Sequence, residues 1–363
     1  MKLHAPRFLS AGVVALAMIA ATVVDTAQAA PEYRWKLAHS WPTNFPIFSE
    51  GIEKMADLVK TMSQGQMEIR IDSKNKHKAP LGILDMVKNG QYQIGHSASY
   101  YWKGKDLATL PFTTMPFGMT APEQYGWFYY GGGMALMKKV YDRHRVYAFP
   151  GGNTGNQMGG WFQKEIKGFD DLKGLKMRIP GFAGEVFAKL GVVVTNIPAG
   201  ELYTALDRGT IDALEWVGPS LDINMGFHKI APYYYTGWHE PGAELIFIVN
   251  QKRFEALPEH LQEILATAMK YVAYDIYAHS YHESAVNWAA MKKGYPHIEI
   301  RTLPKPVMDR MKEENRKLLV EKSAANPLFK EIVDSQTAYT KKAREWTRIS
   351  DYTYLKDNIE NVK

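Results

Sequence analysis

The octapeptide Gly174-Leu175-Lys176-Met177-Arg178-Ile179-Pro180-Gly181 alternates apolar and polar side chains and then breaks at Pro and Gly. Alternation with a period of two predicts a short β-strand at 177–179, and the Pro-Gly pair predicts its end. The following residues have helical spacing at 182–190 and 199–207, with strand-like runs at 192–194 and 211–214. Strands that alternate with helices in this way predict an α/β lobe.

A second series of the same kind lies nearer the N-terminus. Strand patterns at 33–39, 67–71 and 94–99 are separated by helical patterns at 48–62 and 80–88. This order predicts a parallel or mixed sheet covered by helices. Two lobes of similar construction are therefore expected.

Two ten-residue segments support the similarity of the lobes. Residues 86–95 and 205–214 each contain the end of a helical pattern, a Gly and the start of a strand pattern. Gly90 and Gly209 are expected to end their helices, because Gly readily adopts the left-handed conformation. Junctions of this kind are also common in unrelated α/β proteins, so the similarity alone does not establish a repeat.

The C-terminal third contains a long uninterrupted helical pattern. It begins at Pro258 and continues to about Lys293, following an apolar strand pattern at 243–249. At about 1.5 Å per residue, a helix of this length is too long for one small lobe and is expected to span both. A further helix is predicted at 306–321, and the basic tail after Pro327 is expected to pack on the body or on another subunit.

The first residues have the order of a secretory signal peptide. Lys2 and Arg7 precede an apolar run at 11–24, and Ala27-Gln28-Ala29 supplies the small residues of a cleavage site. The apolar run is shorter than the roughly 20 residues that a transmembrane helix needs. We therefore expect cleavage after Ala29 and export of the mature protein.

Composition excludes several classes of function. The chain has no Cys, which excludes disulfides, thiol catalysis and Cys-ligated zinc. Its net charge of +6 suits an anionic ligand, but no Lys/Arg cluster is interleaved with aromatic residues, so no nucleic-acid binding is expected. No G-x-x-x-x-G-K-[ST] phosphate loop and no G-x-S-x-G nucleophile motif is present.

The octapeptide also begins a series of motifs that resembles the substrate-binding proteins of tripartite ATP-independent periplasmic (TRAP) transporters. The series continues with Asn196-Ile197-Pro198-Ala199-Gly200-Glu201-Leu202-Tyr203-Thr204-Ala205-Leu206 and Gly209-Thr210-Ile211-Asp212-Ala213. Glu215-Trp216-Val217-Gly218-Pro219 and Gly237-Trp238-His239-Glu240-Pro241-Gly242 resemble the branch that binds 2-oxo and 2-hydroxy acids. The resemblance covers nearly the whole mature chain.

The resemblance implies a periplasmic binding protein, not an enzyme. Its fold would have two α/β lobes that are joined by crossing strands and a long helix and that close around the ligand. We expect a signal peptide at 1–29, a first lobe formed by 30–150 and 243–280, and a second lobe formed by 151–242 and 281–326. Residues 327–363 would form a helical tail and a possible dimerisation element. The partners would be a small organic acid and the membrane permease.

Arg178 is the leading candidate for ligand binding. A guanidinium group offers two parallel donors to a carboxylate, although an Arg at a strand end also often lies free at the surface. The family resemblance places Arg178 at the carboxylate-binding position. It also implies that the Glu215 side chain, the Trp216 carbonyl, Glu240 and Gln157 bind a cation. An all-oxygen set of this kind suits Na⁺ or Ca²⁺.

Further candidates come from a polar loop and from aromatic residues. Asn153, Asn156 and Gln157 lie in a Gly-rich segment whose backbone could approach a ligand, although the same residues also form ordinary turns. Tyr100 and Tyr101 follow the strand at 94–99 and are expected to form an aromatic wall in the first lobe. Phe182 is a weaker candidate for the same role, and packing in the core is the alternative for all three aromatic residues.

Three alternatives remain at this stage. The chain could bind a dicarboxylate or a sugar acid through Arg178 without a metal. The same carboxylates could serve a metal-dependent lyase or hydrolase. The protein could also be a periplasmic sensor component instead of a transport component. The identity of the acid, the cation and the oligomeric state stay open.

Overall fold

The computed structural model describes residues 30–359, in which the chain forms two β-sheets and a set of covering helices. The strands are β1 (Tyr33–His39), β2 (Met67–Asp72), β3 (Ile94–Ser97), β4 (Val146–Asn153), β5 (Gly160–Phe162), β6 (Lys176–Arg178), β7 (Val193–Thr195), β8 (Ala213–Leu214), β9 (Tyr233–Tyr235), β10 (Glu244–Asn250) and β11 (Glu299–Arg301). The helices are α1 (Phe48–Met62), α2 (Lys74–His77), α3 (Ile83–Lys88), α4 (Ala121–Tyr130), α5 (Gly133–Tyr141), α6 (Gly181–Lys189), α7 (Leu202–Asp207), α8 (Pro219–Met225), α9 (Gln251–Glu255), α10 (Glu259–Gly294), α11 (Lys305–Ala325), α12 (Pro327–Ile349) and α13 (Asp351–Ile359).

The first sheet has the strand order β2-β1-β3-β10-β4. Strand β1 pairs in parallel with β2 and β3, while β10 runs antiparallel to β3 and β4. The predicted β-α-β-α-β series is confirmed as a mixed sheet. Its strands carry buried apolar residues because helices cover the sheet.

The second sheet has the order β11-β9-β5-β8-β6-β7. The octapeptide supplies β6, which lies parallel to β7 and β8, and the first residue of α6. Strand β5 runs antiparallel to β8 and β9. The two-lobed α/β architecture predicted from the sequence is therefore confirmed, although the residue boundaries proposed for the lobes remain a prediction.

Two neighbouring strands and one long helix connect the sheets. Strand β4 leads from the first sheet towards β5, and β10 returns to the first sheet beside β4, with Glu244 opposite Asn153. A bulge interrupts their pairing at Leu245 and Ile246. The long helix α10 has 36 residues and packs against α1, β4 and α8, which confirms the predicted helix that spans both lobes.

The two similar ten-residue segments form similar junctions. Gly90 follows α3 with φ of 76°, and Gly209 follows α7 with φ of 69°. Each Gly therefore occupies the left-handed region, where a side chain would be strained. The first junction leads to β3 in the first sheet and the second leads to β8 in the second sheet.

Several predicted bounds differ from the structure. The helix predicted at 80–88 forms only from Ile83, and the helix at 199–207 divides into a short 3-10 helix and α7. Gly151, where the proposed second lobe begins, lies within β4. The predicted signal peptide at 1–29 lies outside the described residues. Within residues 30–359, no helix has the length and apolarity needed to cross a bilayer.

Candidate cation and carboxylate site

The site begins where two neighbouring parallel strands of the second sheet end. Arg178 is the last residue of β6, and it pairs with Leu214, the last residue of β8. Glu215 follows immediately. Ligands in α/β proteins commonly lie beyond the carboxyl ends of parallel strands, where such side chains converge.

Arg178 is buried and partly engaged by the protein itself. Its Nη1 donates to the Glu215 carbonyl at 2.6 Å and to Glu215 Oε2 at 3.1 Å, and its Nε donates to the Ile197 carbonyl at 3.2 Å. The guanidinium carbon lies 5.3 Å from the centroid of the Trp216 ring. Nη2 has no acceptor within the described chain, so this atom remains available to a carboxylate.

Two further acidic oxygen groups meet beside Arg178. Glu215, His239 and Glu240 are all buried, and one ligand atom from each lies within 4.8 Å of the others. Among residues 30–359, Glu240 Oε1 and Oε2 and Glu215 Oε1 receive no hydrogen bond. Burial and the neighbouring Glu215 charge raise the pKa of Glu240 well above its ordinary value. Buried carboxylates in this state need a proton or a cation.

Gln157 adds a neutral oxygen to this group. Its backbone N–H donates to the Glu240 carbonyl at 2.9 Å, and its side-chain Nε2 donates to Thr154 Oγ1 at 2.9 Å. Gln157 Oε1 accepts no hydrogen bond from the described residues. A side chain at Gly237 would collide with the Gln157 carbonyl, since a Cβ would lie 1.9 Å from that oxygen. Gly237 therefore permits the close approach of these two segments.

The oxygen atoms of Gln157, Glu215 and Glu240 fit a hard cation. Carboxylate and amide oxygens are the preferred ligands of Ca²⁺ and also suit Na⁺. Gln157 Oε1, Glu215 Oε1 and both carboxylate oxygens of Glu240 accept no hydrogen bond within the described chain, and this is the structural observation that supports such a site. Trp216, whose carbonyl the sequence also predicted as a ligand, follows Glu215 directly and is 5% exposed.

Tyr100 and Tyr101 approach the charged residues from the first sheet. Their rings lie 4.9 Å apart in an edge arrangement. Burial raises the pKa of the Tyr100 hydroxyl well above its ordinary value, and the charge of Glu240 raises it further. Burial also raises the pKa of Tyr101, while the Arg178 charge lowers it.

Three predicted residues lie in other surroundings. Asn153 Nδ2 donates to Gln124 Oε1 at 2.7 Å and to Glu244 Oε2 at 2.9 Å, while its Oδ1 accepts from Gly155 N at 2.9 Å. Asn156 is exposed and lines a separate cavity of about 490 Å³ beside α10. Phe182 is buried, and its ring stacks on Phe329 of α12 at 6.3 Å.

His239 was missed as a site residue. It is fully buried, its Nε2 lies 3.6 Å from Glu215 Oε1, and neither ring nitrogen has a hydrogen-bond partner within residues 30–359. The adjacent Trp238 packs against Phe187 and Phe117. The quoted run from Gly237 to Gly242 contains both residues, but the sequence does not indicate which of its side chains face the pocket.

Comparison with known proteins gives a consistent result. The family model described as DctP, bacterial extracellular solute-binding protein, family 7, matches residues 37–325. A monocarboxylate 2-oxoacid-binding periplasmic protein of Nostoc sp. is 38% identical over 325 residues, which cover 89% of this chain and 88% of that protein.

Solved structures of TRAP periplasmic solute-binding proteins have the same fold. One from Colwellia psychrerythraea, with bound calcium and pyruvate, is 64% identical and has a TM-score of 0.89; the match covers 90% of this chain and 99% of that chain. One from Pseudoalteromonas atlantica, with bound sodium and pyruvate, is 62% identical and has a TM-score of 0.88. The match covers 89% of this chain and 98% of that chain.

Proposed function

Because this chain belongs to family 7 of the bacterial extracellular solute-binding proteins, we propose that it captures a 2-oxo or 2-hydroxy monocarboxylate, such as pyruvate or lactate, with a bridging Na⁺ or Ca²⁺. It delivers this acid to the membrane permease of a TRAP transporter. The observation that supports the proposal is the buried set of unpartnered oxygens of Gln157, Glu215 and Glu240 beside Arg178. Relatives with bound pyruvate contain calcium or sodium.

Each side chain has a distinct part in this proposal. Arg178 Nη2 donates to the carboxylate of the acid, while Nη1 stays on Glu215. Gln157, Glu215, the Trp216 carbonyl and Glu240 would hold the cation. A bound cation would offset the negative charge of the two glutamate carboxylates and would attract the oxygen atoms of the acid. Tyr100 and Tyr101 cover the acid from the first sheet and exclude water.

The arrangement suits a ligand that is enclosed between the two lobes. The Phe45 ring meets the Trp216 ring edge-on at 6.0 Å, so an aromatic contact joins the two sides of the pocket. Lys103 Nζ donates to the Gly181 carbonyl at 2.8 Å and to Glu185 Oε1 at 3.0 Å, which adds a polar contact at its edge. A mobile pair of lobes that closes on the ligand would form these contacts last.

We assign capture rather than chemistry to the site. The support for this assignment is the family, which consists of solute-binding proteins. Incubation with pyruvate and calcium, followed by proton NMR of the acid, should return the acid unchanged. Conversion of the acid would instead favour a metal-dependent enzyme.

The C-terminal tail is proposed to pack against a second copy of the chain. Helix α12 contacts α4, α5 and α11, but its last turns and α13 leave large apolar side chains exposed. They are Trp346, Ile349, Tyr352, Tyr354, Leu355 and Ile359. An exposed apolar patch of this kind favours burial in a homodimer, which light scattering of the full mature chain would detect.

Thermal unfolding tests the ligand class. The mature protein would be heated with pyruvate, lactate, succinate or gluconate. Each acid would be tested in three buffers: sodium-free buffer with calcium, buffer with sodium, and sodium-free buffer with a chelator. We expect pyruvate or lactate to raise the melting temperature only when a cation is present, since a ligand of the native state stabilises it. Arg178→Ala should abolish the rise, and the exposed control Arg208→Ala should keep it. A rise with succinate or gluconate that is independent of cations would contradict the proposal.

A further inference from the structure

Asp222 lies behind the candidate ligand segment and is saturated with hydrogen bonds. It is 1% exposed in α8. Its Oδ1 accepts from Val217 N at 3.2 Å and from Gly218 N at 2.9 Å, and its Oδ2 accepts from Trp161 Nε1 at 2.9 Å and from Tyr234 Oη at 2.8 Å. Both oxygens are occupied by protein donors, so Asp222 is not itself available to a cation.

The hydrogen bond from Val217 has a directional consequence. The Val217 N–H and the Trp216 carbonyl belong to one peptide group, and the described chain contains no cis peptide bond. In a planar trans peptide the N–H and C=O bonds point in opposite directions. By holding the Val217 N–H, Asp222 aims the Trp216 carbonyl away from itself.

The next peptide group, which joins Val217 to Gly218, is held at its carbonyl by another segment of the chain. The Val217 carbonyl accepts from Met158 N at 2.8 Å, and the preceding residue, Gln157, donates its N–H to the Glu240 carbonyl at 2.9 Å. The segments that carry Gln157, Trp216 and Glu240 are therefore linked through the backbone. Among the described residues, the Asp222 carboxylate is the only charged group that accepts a hydrogen bond from the Val217 N–H.

We propose that Asp222 is a positioning residue that aims the Trp216 carbonyl at the cation and strengthens that carbonyl as a ligand. The inference rests on the proposed cation site. A carboxylate that accepts from an amide N–H polarises the peptide group, which places more negative charge on its carbonyl oxygen. Groups that orient metal ligands in this way typically change metal affinity 10- to 100-fold when they are replaced.

The alternative role for Asp222 is purely structural, since its contacts also hold the start of α8 and join β5 to β9. Trp161 and Tyr234 stack at 3.9 Å and donate only to Oδ2. Trp161→Phe removes one of these donors and leaves the Val217 bond in place. Trp161→Phe is therefore the control for Asp222→Asn, because it tests the role of the Asp222 contacts in stability alone.

Calcium titration by calorimetry, at pH 8 and in sodium-free buffer, separates the two roles. We expect Asp222→Asn to weaken calcium binding about 10-fold or more, because the neutral amide polarises the Val217 peptide less. Trp161→Phe should lower the melting temperature but keep calcium affinity within about 2-fold of the parent. Equal calcium affinity in Asp222→Asn and the parent would overturn the proposal, as would equal losses in both variants.

A measurement on the parent protein covers the case in which Asp222→Asn does not fold. The ¹⁵N shift of an amide responds to the bonding of the carbonyl in the same peptide group. Calcium addition should shift the Val217 ¹⁵N resonance clearly, whereas the Gly218 resonance should shift little, because its peptide carbonyl is already held by Met158 N. A Val217 shift no larger than that of Gly218 would overturn the proposal. Failure of the parent to bind calcium or sodium at all would instead reject the proposed function.

Discussion

Glu240 and Glu244 are four residues apart, and each is 1% exposed, but their surroundings differ completely. Glu244 Oε1 accepts from Gly152 N at 2.9 Å and its Oε2 accepts from Asn153 Nδ2 at 2.9 Å. Neither oxygen of Glu240 accepts a hydrogen bond from the described residues. Glu244 belongs to a crossing-strand cluster of Gln124, Gly152, Asn153 and Glu244, and Glu240 belongs to the proposed cation pocket of Gln157, Glu215 and Glu240.

The difference separates a structural acid from a binding acid. Folded proteins rarely leave buried polar atoms without partners, and those that remain need an explanation. The crossing-strand cluster satisfies its atoms internally and fixes β4 against β10. The cation pocket leaves its oxygens for a partner from outside the chain. Burial alone, which is equal for the two residues, does not distinguish these roles.

The largest expected difference between the two regions concerns cation binding. Glu240→Gln removes one charged ligand from the pocket, and the loss of a buried ionic partner typically costs about 3–5 kcal/mol. We expect a loss of calcium affinity of at least about 100-fold. Glu244→Gln should leave calcium affinity nearly unchanged, because that residue has no free oxygen. Calorimetry would measure calcium affinity in both variants. Equal losses of affinity would contradict the distinction between Glu240 and Glu244.

The second prediction concerns pH. Burial raises the pKa of Glu244 to about 7, from an ordinary value of 4.5. The folded state therefore holds this proton more tightly than the unfolded state. Its contribution to stability is fully present below about pH 4.5 and is lost as pH rises to about 7, by up to about 3 kcal/mol.

Urea unfolding at pH 4.5, 6 and 7.5 would measure this loss. A chelator in sodium-free buffer keeps the pocket free of cations, and any titration of the pocket itself is common to both proteins. As pH rises, the free energy of unfolding of the parent should fall relative to that of Glu244→Gln. Parallel pH profiles for the two proteins would show that Glu244 does not titrate in this interval.

The third prediction tests the role of Asn153. Its side chain is fully used by Gln124, Glu244 and Gly155. Asn153→Ala leaves buried acceptors without donors, so we expect a loss of about 1–3 kcal/mol in the free energy of unfolding. Pyruvate affinity should fall much less than in Gln157→Ala, which has the same truncation in the cation pocket. A larger loss of pyruvate affinity in Asn153→Ala than in Gln157→Ala would indicate that Asn153 belongs to the binding site.

The smallest expected effect comes from a partly buried ion pair outside both regions, at the edge of the pocket. Lys103 and Glu185 are 34% and 24% exposed in their side chains. Lys103→Met should change stability by only about 0.2–1 kcal/mol, because solvent screens such pairs. High salt should remove the difference between the variant and the parent in thermal unfolding. A difference that persists in high salt would assign the effect to packing of the Lys103 stem.

The sequence predicted the elements with clear periodicity and the residues inside long motifs. Strand β1 and helix α1 have the predicted bounds, because their apolar spacing reflects burial on one face. Glu215 and Glu240 lie close together with His239, while their role as cation ligands stays a prediction. The short strands β5, β9 and β11 were not predicted, although the equally short β6 and β7 were.

Asn153 and Gln157 show where sequence reasoning stops. Both are amides in one Gly-rich segment, and nothing local distinguishes them. The side chain of Asn153 is directed by Glu244, which lies 91 residues further along the chain, through the pairing of β4 with β10. His239 was missed for the same reason, because its burial beside Glu215 depends on contacts between distant segments.

The continuous helix α10 has a consequence for the transport cycle. Its 36 residues extend over about 54 Å, and long helices curve with radii of about 60–100 Å while their backbone hydrogen bonds persist. A change of curvature distributed along α10 can therefore absorb a rotation of the lobes elastically. Bending α10 away from its resting curvature costs elastic energy, so we expect the helix to act as a spring that favours the lobe arrangement in which it is least bent.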